Sequence, residues 1–220
     1  MVKSIKARHL LLAAICTSVV GCASVQPVAY SGITSSSYLK PDPEDKSGRV
    51  PYRFSTQVDW QQYRKVIVDP VVVYRAADNQ FGDMSDSDKK ALAGYMQSKF
   101  EEKLRTRFEL ANAPDPSMLR VKLTLTGAST TTPFLGPFSR FDLSGGIYNV
   151  VQTARGKEDG FTGSVMYAVE IYDASNDKLL SAYVTKQYLN PYNLGASFGA
   201  LNASKTSIEK GADALVAQLK

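Results

Sequence analysis

The side chains with the most versatile chemistry in this 220-residue chain are one histidine and two cysteines, His9, Cys16 and Cys22. Histidine is the usual general base, and cysteine serves as a nucleophile and as half of a disulfide. Both residue types also bind zinc. All three residues lie within the first 22 positions. What happens to the N-terminus therefore decides which reactions the protein can perform.

The N-terminus has the layout of a secretory signal. Lys3, Lys6 and Arg8 form a positive head without an acid, and the apolar run Leu10–Val20 follows. This run is much shorter than the about 20 residues that a membrane-spanning helix needs. The pattern predicts a removable signal peptide rather than a permanent transmembrane helix.

The end of this segment, Val19-Val20-Gly21-Cys22, resembles the lipobox of bacterial lipoproteins. The resemblance implies that residues 1–21 are a lipoprotein signal peptide and that Cys22 carries a diacylglycerol and an N-terminal acyl chain, such as palmitate. Ala23 follows, where Asp favours retention in the inner membrane, so we expect a lipid anchor in the periplasmic leaflet of the outer membrane. The alternative is an ordinary secretory signal cut near Ala23.

Removal of residues 1–21 changes the chemistry available to the chain. Three basic residues and no acid are lost, so the formal charge falls from +5 to +2. Because His9 and Cys16 leave and Cys22 is lipidated, the mature chain has no histidine and no free thiol. Catalysis by a Ser-His-Asp or Cys-His group, zinc sites built from His and Cys, and disulfides are therefore excluded.

Acidic residues are the remaining candidates for catalysis. The acids that could form a pair are Asp142, Glu158, Asp159 and Glu170, but their spacing favours solvated or turn positions. Asp69, between two apolar runs, is predicted to cap local backbone. We expect no enzymatic activity, no cofactor and no metal, and the small net charge argues against a nucleic-acid partner.

A long irregular stretch over residues 129–160 contains the candidate partner or ligand surface. It combines glycines and prolines with the apolar residues Phe134, Leu135, Phe138 and Phe141. Long segments of this kind are commonly functional. One interpretation is an apolar surface for a protein partner or a lipid. The other is a lid packed over the sheet.

The elements that must position such a surface follow a simple order. Residues 22–54 are rich in Ser and Pro and predict a flexible tether, although Tyr30, Tyr38 and Leu39 are apolar enough for part of it to dock. Residues 55–220 form one domain. Its predicted elements are strands at 65–68 and 71–74, a helix after Ser85, a strand at 119–125, a hairpin of 163–172 and 178–188, and a helix at 202–219.

The apolar periodicity predicts how the helices pack. Leu92, Tyr95, Met96, Phe100, Leu104 and Phe108 recur at spacings of three and four, and Ile208, Ala212, Leu215 and Leu219 do the same. Gly211 predicts either close packing or a frayed middle of the last helix. The order strand-helix-strand-hairpin-helix predicts an α+β two-layer sandwich, with a small mixed sheet and helices on one face.

Several segments resemble the bacterial lipoproteins known as domain of unknown function 3313. They are Ser31-Gly32-Ile33, Tyr38-Leu39-Lys40-Pro41, the run from Tyr63 to Val71, and Val169-Glu170-Ile171-Tyr172-Asp173. The resemblance implies an envelope lipoprotein and supplies no catalytic residues. The element order is also similar to the TolB N-terminal domain and to periplasmic domains of the curli-secretion type, a similarity of fold alone.

These observations lead to three functional hypotheses. The first is a non-catalytic structural or assembly component of the cell envelope, held on the membrane by its lipid and contacting other envelope proteins. The second is a module that binds a lipid or a small apolar ligand. The third, which is less favoured, is a carboxylate-dependent hydrolase of envelope glycans.

Overall fold

The computed structural model describes residues 25–113, 116–130, 163–189 and 201–220. Within them lie eight strands, two α-helices and a short 3-10 helix at Trp60–Gln62. The strands are β1 (Lys40–Pro41), β2 (Tyr52–Ser55), β3 (Lys65–Val68), β4 (Val72–Val73), β5 (Glu109–Leu110), β6 (Met118–Ser129), β7 (Ser164–Asp173) and β8 (Lys178–Tyr188). The helices are α1 (Asp86–Leu104) and α2 (Asn202–Gln218).

All eight strands belong to one mixed open sheet in the order β1-β2-β8-β7-β6-β3-β5, with β4 also paired to β6. The pairs from β1 to β6 along this order are antiparallel, whereas β3 and β4 run parallel to β6, and β5 runs parallel to β3. The long strands β6, β7 and β8 form its centre. The expected α+β class with a mixed sheet is confirmed.

Both helices pack on one side of the sheet, which we call the helix face. Its core contains alternate residues of the central strands, such as Leu123 and Val169, together with Phe100 of α1 and Leu215 of α2. Alternation along a strand sends every second side chain to the same side, so these residues share one face. The expected placement of the helices on one face is therefore correct.

Helix α1 begins and packs as its sequence predicts. The Ser85 side chain accepts a hydrogen bond from the Asp88 N–H, and Asp86 and Asp88 occupy the first turn, where the helix dipole favours acids. Leu92 and Phe100 are buried, as are Met96 and Leu104. Tyr95 differs from the prediction, because it is half-buried and its hydroxyl donates to Glu209 of α2.

The opposite side of the sheet, which we call the N-terminal face, is covered by residues 25–39. Tyr30, Ile33 and Leu39 are buried against Ala168, Ala182 and Val184 of the sheet. Farther along, Lys40 pairs with Arg53, and β2 adds to the edge of β8. The range 22–54 was predicted to be a flexible tether. Residues 25–39 are instead packed on the sheet, and Tyr52–Ser55 form one of its strands.

The packed N-terminal segment changes the architecture in one respect. The central sheet has helices on one side and an irregular segment on the other, so most of its residues are buried from both sides. Nine successive residues of β7, Ser164–Tyr172, are buried. A strand covered on both faces loses the polar alternation that a half-exposed strand would show.

Candidate functional site

A cleft of about 450 Å³ opens on the N-terminal face between three parts of the chain. The first part is residues 32–34 of the covering segment, the second is the connection between β3 and β4, and the third is the side of β6 and β7 that belongs to the N-terminal face. The lining residues are Gly32, Ile33, Thr34, Asp69, Pro70, Val72, Tyr74, Lys122, Leu123, Thr124 and Glu170.

Two polar side chains of the cleft already have protein partners. The Arg120 Nε–H lies 3.0 Å from both carboxylate oxygens of Asp69, so this acid is compensated by an adjacent cation. Its predicted role as a local backbone cap is therefore wrong. The Tyr74 hydroxyl accepts from the Gly32 N–H at 2.9 Å and donates to Asp78 at 2.7 Å. Burial and the bond to Asp78 raise the pKa of Tyr74, which keeps its hydroxyl protonated.

Glu170 is the buried acid of the cleft, with 3% of its surface exposed. Its Oε1 atom accepts from the Ser35 N–H at 2.6 Å and from the Tyr172 hydroxyl at 3.2 Å. Burial and the adjacent carboxylate raise the pKa of Tyr172, so the phenol remains a donor. Among the described residues, no donor is recorded for Oε2 of Glu170.

Lys122 is the cation of the cleft and lies directly opposite Glu170 in the register of β6 and β7. Its Nζ atom is 4.6 Å from the centroid of the Tyr172 ring, a cation–π distance. Within the described part of the chain it makes no ion pair. A carboxylate oxygen and an ammonium group are thus both available to a small ligand that carries complementary polar groups.

Three of the four segments that resemble the lipoprotein family converge on this cleft, and Tyr38-Leu39-Lys40-Pro41 does not line it. Gly32 and Ile33 come from one of them, Asp69 and Pro70 from the second, and Glu170 from the third. These segments are far apart in sequence, and the sheet brings them together. The spacing of these segments in the sequence does not indicate that they meet. They meet because of the register between β6 and β7 and the position of the covering segment on the sheet.

Most of the residues that the sequence analysis singled out lie outside the described residues. This holds for Cys22 and the lipobox residues Val19, Val20 and Gly21. It also holds for Phe134, Leu135, Phe138 and Phe141, and for Asp142, Glu158 and Asp159. Of the four acids, only Glu170 is described. It contacts the covering segment and not a second acid.

Two further features of the described residues bear on the chemistry. No group of three or more His, Cys, Asp or Glu side chains within them could hold a metal ion. None of their helices combines the length and apolar character needed to cross a bilayer. The cleft therefore presents hydrogen-bonding and charged groups without a metal cluster of its own.

The fold and the cleft define an α+β domain built on one mixed sheet, with helices on one face and an N-terminal covering segment on the other. The chain belongs to the family described as protein of unknown function (DUF3313), whose profile matches residues 29–215. The similarity noted in the sequence is thus confirmed at the level of the family. The expected resemblance to the TolB N-terminal domain stays a prediction.

The solved structures to which the chain is similar share little of its sequence. A PelC dodecamer from Paraburkholderia phytofirmans is 11% identical, with 73% of this chain and 94% of that chain covered and a TM-score of 0.38. A hypothetical protein from Chlamydia trachomatis is also 11% identical, covers 71% and 95%, and has a TM-score of 0.35. A DUF4136 family protein from Bacteroides thetaiotaomicron is 9% identical, covers 75% and 92%, and has a TM-score of 0.34. No curated protein matches the sequence.

Proposed function

We propose that this protein is a lipid-anchored lipoprotein of the cell envelope that acts without catalysis, as a structural or assembly component contacting other envelope proteins. The observation that carries the proposal is the order of three features along the chain. An apolar run ends in Val19-Val20-Gly21-Cys22, and a few residues later, at Val25, the chain is already hydrogen-bonded to the sheet.

The chemistry of the mature chain supports a non-catalytic role. Without histidine or a free thiol, the chain lacks the usual activated nucleophiles. At the described cleft, Asp69 is engaged by Arg120, and Glu170 is held by Ser35 and Tyr172. Both carboxylates line the cleft, but each is hydrogen-bonded to donors of the protein, which favours a structural role for them over the acid–base pair of a hydrolase.

Lipidation is tested by labelling cells with radioactive palmitate. We expect label in the wild-type protein and in Cys16→Ala, which removes the other cysteine of the signal segment, and none in Cys22→Ala. Separation of inner and outer membranes then tests the outer-membrane location. Label that persists in Cys22→Ala would rule out this attachment site.

The proposed contacts with envelope proteins are tested by cross-linking in living cells followed by mass spectrometry. We expect the wild-type chain to yield recurrent envelope partners, and the signal should fall in Cys22→Ala because that variant is no longer held at the membrane. A chain that is correctly lipidated but recovers no partner would argue against an assembly role.

A second candidate function is the binding of a small ligand, and the available groups of Glu170 and Lys122 favour it. This cleft differs from the predicted apolar site, because it is lined by a carboxylate and an ammonium group, those of Glu170 and Lys122. Native mass spectrometry of protein stripped of bound lipid tests this candidate. Bound small molecules should disappear in Lys122→Met and persist in Lys178→Met, which changes an exposed lysine on the distant hairpin.

A further inference from the structure

The start of the described chain is fixed to one end of the central sheet. The Lys186 Nζ donates to the Val25 carbonyl, and the Gln80 Nε2 donates to the Gln26 carbonyl at 2.7 Å. Gln80 pairs with Gly127, which lies opposite Met166, and Met166 lies opposite Lys186. Val25 and Gln26 therefore sit over one row of the sheet, close to the end where β6 and β8 finish.

The glycine in this row explains how Gln80 reaches its position. A Cβ atom at Gly127 would lie 2.6 Å from the Gln80 carbonyl oxygen, which is too close for any side chain. Pro27, the next residue after Gln26, is buried. The first packed residues are thus fixed by hydrogen bonds to β8 and to residue 80 and by burial, and they do not extend freely from the domain.

The distance from this point to the lipid is short. Cys22 is three residue steps from Val25, and an extended chain covers at most about 3.6 Å per step, so the anchor lies within about 11 Å of Val25. A flexible tether running to residue 54 would have allowed roughly 30 Å. With its acyl chains in the bilayer, Cys22 sits at the headgroup level.

The surface next to the anchor also has exposed apolar side chains. Val25 is 57% exposed and Val28 is 37% exposed, and they are two of the four large apolar residues that are exposed in the described part of the chain. A pair of valines alone would not bind a membrane. Beside a covalent lipid, they lie where the headgroups and the upper acyl chains can cover them.

The opposite end of the sheet is the β7–β8 hairpin. Asp173 is seven residue steps from Met166 along β7, which at about 3.3 Å per step places the hairpin about 23 Å from the row that contacts Val25. Lys178, the first residue of β8, is exposed at this distant end. The two ends of the sheet are therefore about twice as far apart as the lipid anchor can lie from Val25.

We propose that the end of the sheet next to Val25, including residues 46–49, rests against the lipid surface, and that the β7–β8 hairpin points away from the membrane. The inference rests on the proposed lipidation of Cys22. It goes further by assigning an orientation to the domain. Residues 46–49 belong to this end because the Arg49 carbonyl accepts from the Lys186 N–H at 2.8 Å.

The orientation is tested with two matched variants of the lipidated protein, Lys46→Cys and Lys178→Cys, each labelled with a small fluorophore. Both lysines are exposed, and the mature chain has no other free thiol. The proteins are reconstituted in phosphatidylethanolamine and phosphatidylglycerol vesicles that contain a headgroup nitroxide quencher. Because Lys178 lies opposite Asp173, about 23 Å along β7 from the row that contacts Val25, we expect at least about threefold more quenching at position 46.

A variant with a lengthened tether separates orientation from anchoring. Insertion of a Gly/Ser linker of about 20 residues between Ser24 and Val25 adds roughly 25 Å of reach and should remove the difference between the two sites. Equal quenching at both sites in the unmodified, palmitate-labelled protein would overturn the orientation while leaving the lipoprotein proposal intact. Loss of palmitate label and of vesicle binding would instead refute the anchor itself.

Discussion

The two faces of the central sheet are buried by different means. The helix face is covered by α1 and α2 through a large, continuous apolar core. The N-terminal face has a smaller apolar cluster and two buried charged side chains, Glu170 and Lys186, which are 3% and 2% exposed. Both charges make hydrogen bonds to the covering segment, at Ser35 and Val25 respectively.

The difference follows from what covers each face. A helix satisfies its own backbone hydrogen bonds, so it can present an apolar stripe to the sheet. An irregular segment carries unpaired N–H and C=O groups, and burial of these groups requires partners. The N-terminal face supplies them from side chains, including Tyr74 for Gly32 and Asp78 for Ser31. This requirement accounts for the buried charged side chains of the N-terminal face, whereas the buried polar side chains of α2 are uncharged serines, Ser204 and Ser207.

The sharpest test of the helix face is Phe100→Ala. Phe100 is fully buried and meets the Tyr167 ring edge-on at 5.7 Å. Truncation of such a side chain leaves a cavity and should lower the free energy of unfolding by about 3–5 kcal/mol. Urea denaturation measures the change. Ser98→Ala, on the exposed side of the same helix, should stay within about 0.5 kcal/mol of wild type, and a comparable loss there would show that α1 packs differently.

The matching test of the N-terminal face is Glu170→Ala. It removes the acceptor of the buried Ser35 N–H, and an unsatisfied buried donor is destabilising by about 1–3 kcal/mol. The loss should be concentrated in the covering segment, which would exchange its amide hydrogens faster while Phe100 and its neighbours stay protected. Glu170→Gln keeps an acceptor oxygen and should lose less. Uniform loss of amide protection across both faces would contradict the view that Glu170 stabilises the covering segment alone.

The buried side of α1 on the helix face could be predicted from the sequence because its apolar residues recur every four positions. Leu92, Met96, Phe100 and Leu104 were expected on one stripe, and all four are buried. The covering segment follows no such period. Ser35 and Glu170 are 135 residues apart, and nothing in either local sequence indicates that a backbone N–H of one meets the carboxylate of the other.

The strands β1, β2 and β5 were missed for related reasons. They are two to four residues long, and β1 includes Pro41. Strands this short exist because longer neighbours offer a free edge, so their own propensity carries little information. The cleft was missed as well, because it forms only where the covering segment, the turn after β3 and the central strands meet.

A pair of glycines tests how tightly the helix face is packed. A Cβ atom at Gly211 of α2 would lie 1.8 Å from the Tyr167 hydroxyl oxygen, whereas one at Gly94 of α1 would meet nothing within 4 Å. Gly211 therefore lies where α2 packs closely on the sheet, which is one of the two alternatives that the sequence predicted. Gly211→Ala should be destabilising by about 1–3 kcal/mol. Gly94→Ala should be stabilising by up to about 1 kcal/mol.

Thermal unfolding of the two variants measures the expected loss of stability in Gly211→Ala and the expected gain in Gly94→Ala. The double variant Gly211→Ala with Tyr167→Phe lacks the hydroxyl that the new methyl group would meet, so it should recover part of the loss relative to Tyr167→Phe alone. If Gly211→Ala is as stable as Gly94→Ala, α2 can shift on the sheet, and the helix face is more adaptable than its close contacts indicate.

The smallest effect concerns the polar contacts of the N-terminal face in acid. The Ser31 N–H and the Tyr74 hydroxyl both donate to Asp78 and hold the pKa of its carboxyl below the ordinary 3.8. Because the folded pKa is the lower one, the stabilisation is fully present above pH 3.8 and is lost as pH falls through the lowered value. The Ser31 amide proton should therefore shift in NMR spectra with a midpoint below 3.8.

The titration separates this contact from general acid unfolding. Asp78→Asn should abolish the Ser31 transition, whereas Asp83→Asn, which changes an exposed aspartate nearby, should leave it in place. The signals of Phe100 and Leu215 should not move with Ser31, since both residues lie on the helix face and Asp78 contacts the covering segment on the other face. If they move with Ser31, the two faces are coupled, and the covering segment stabilises the whole sheet and not only its own side.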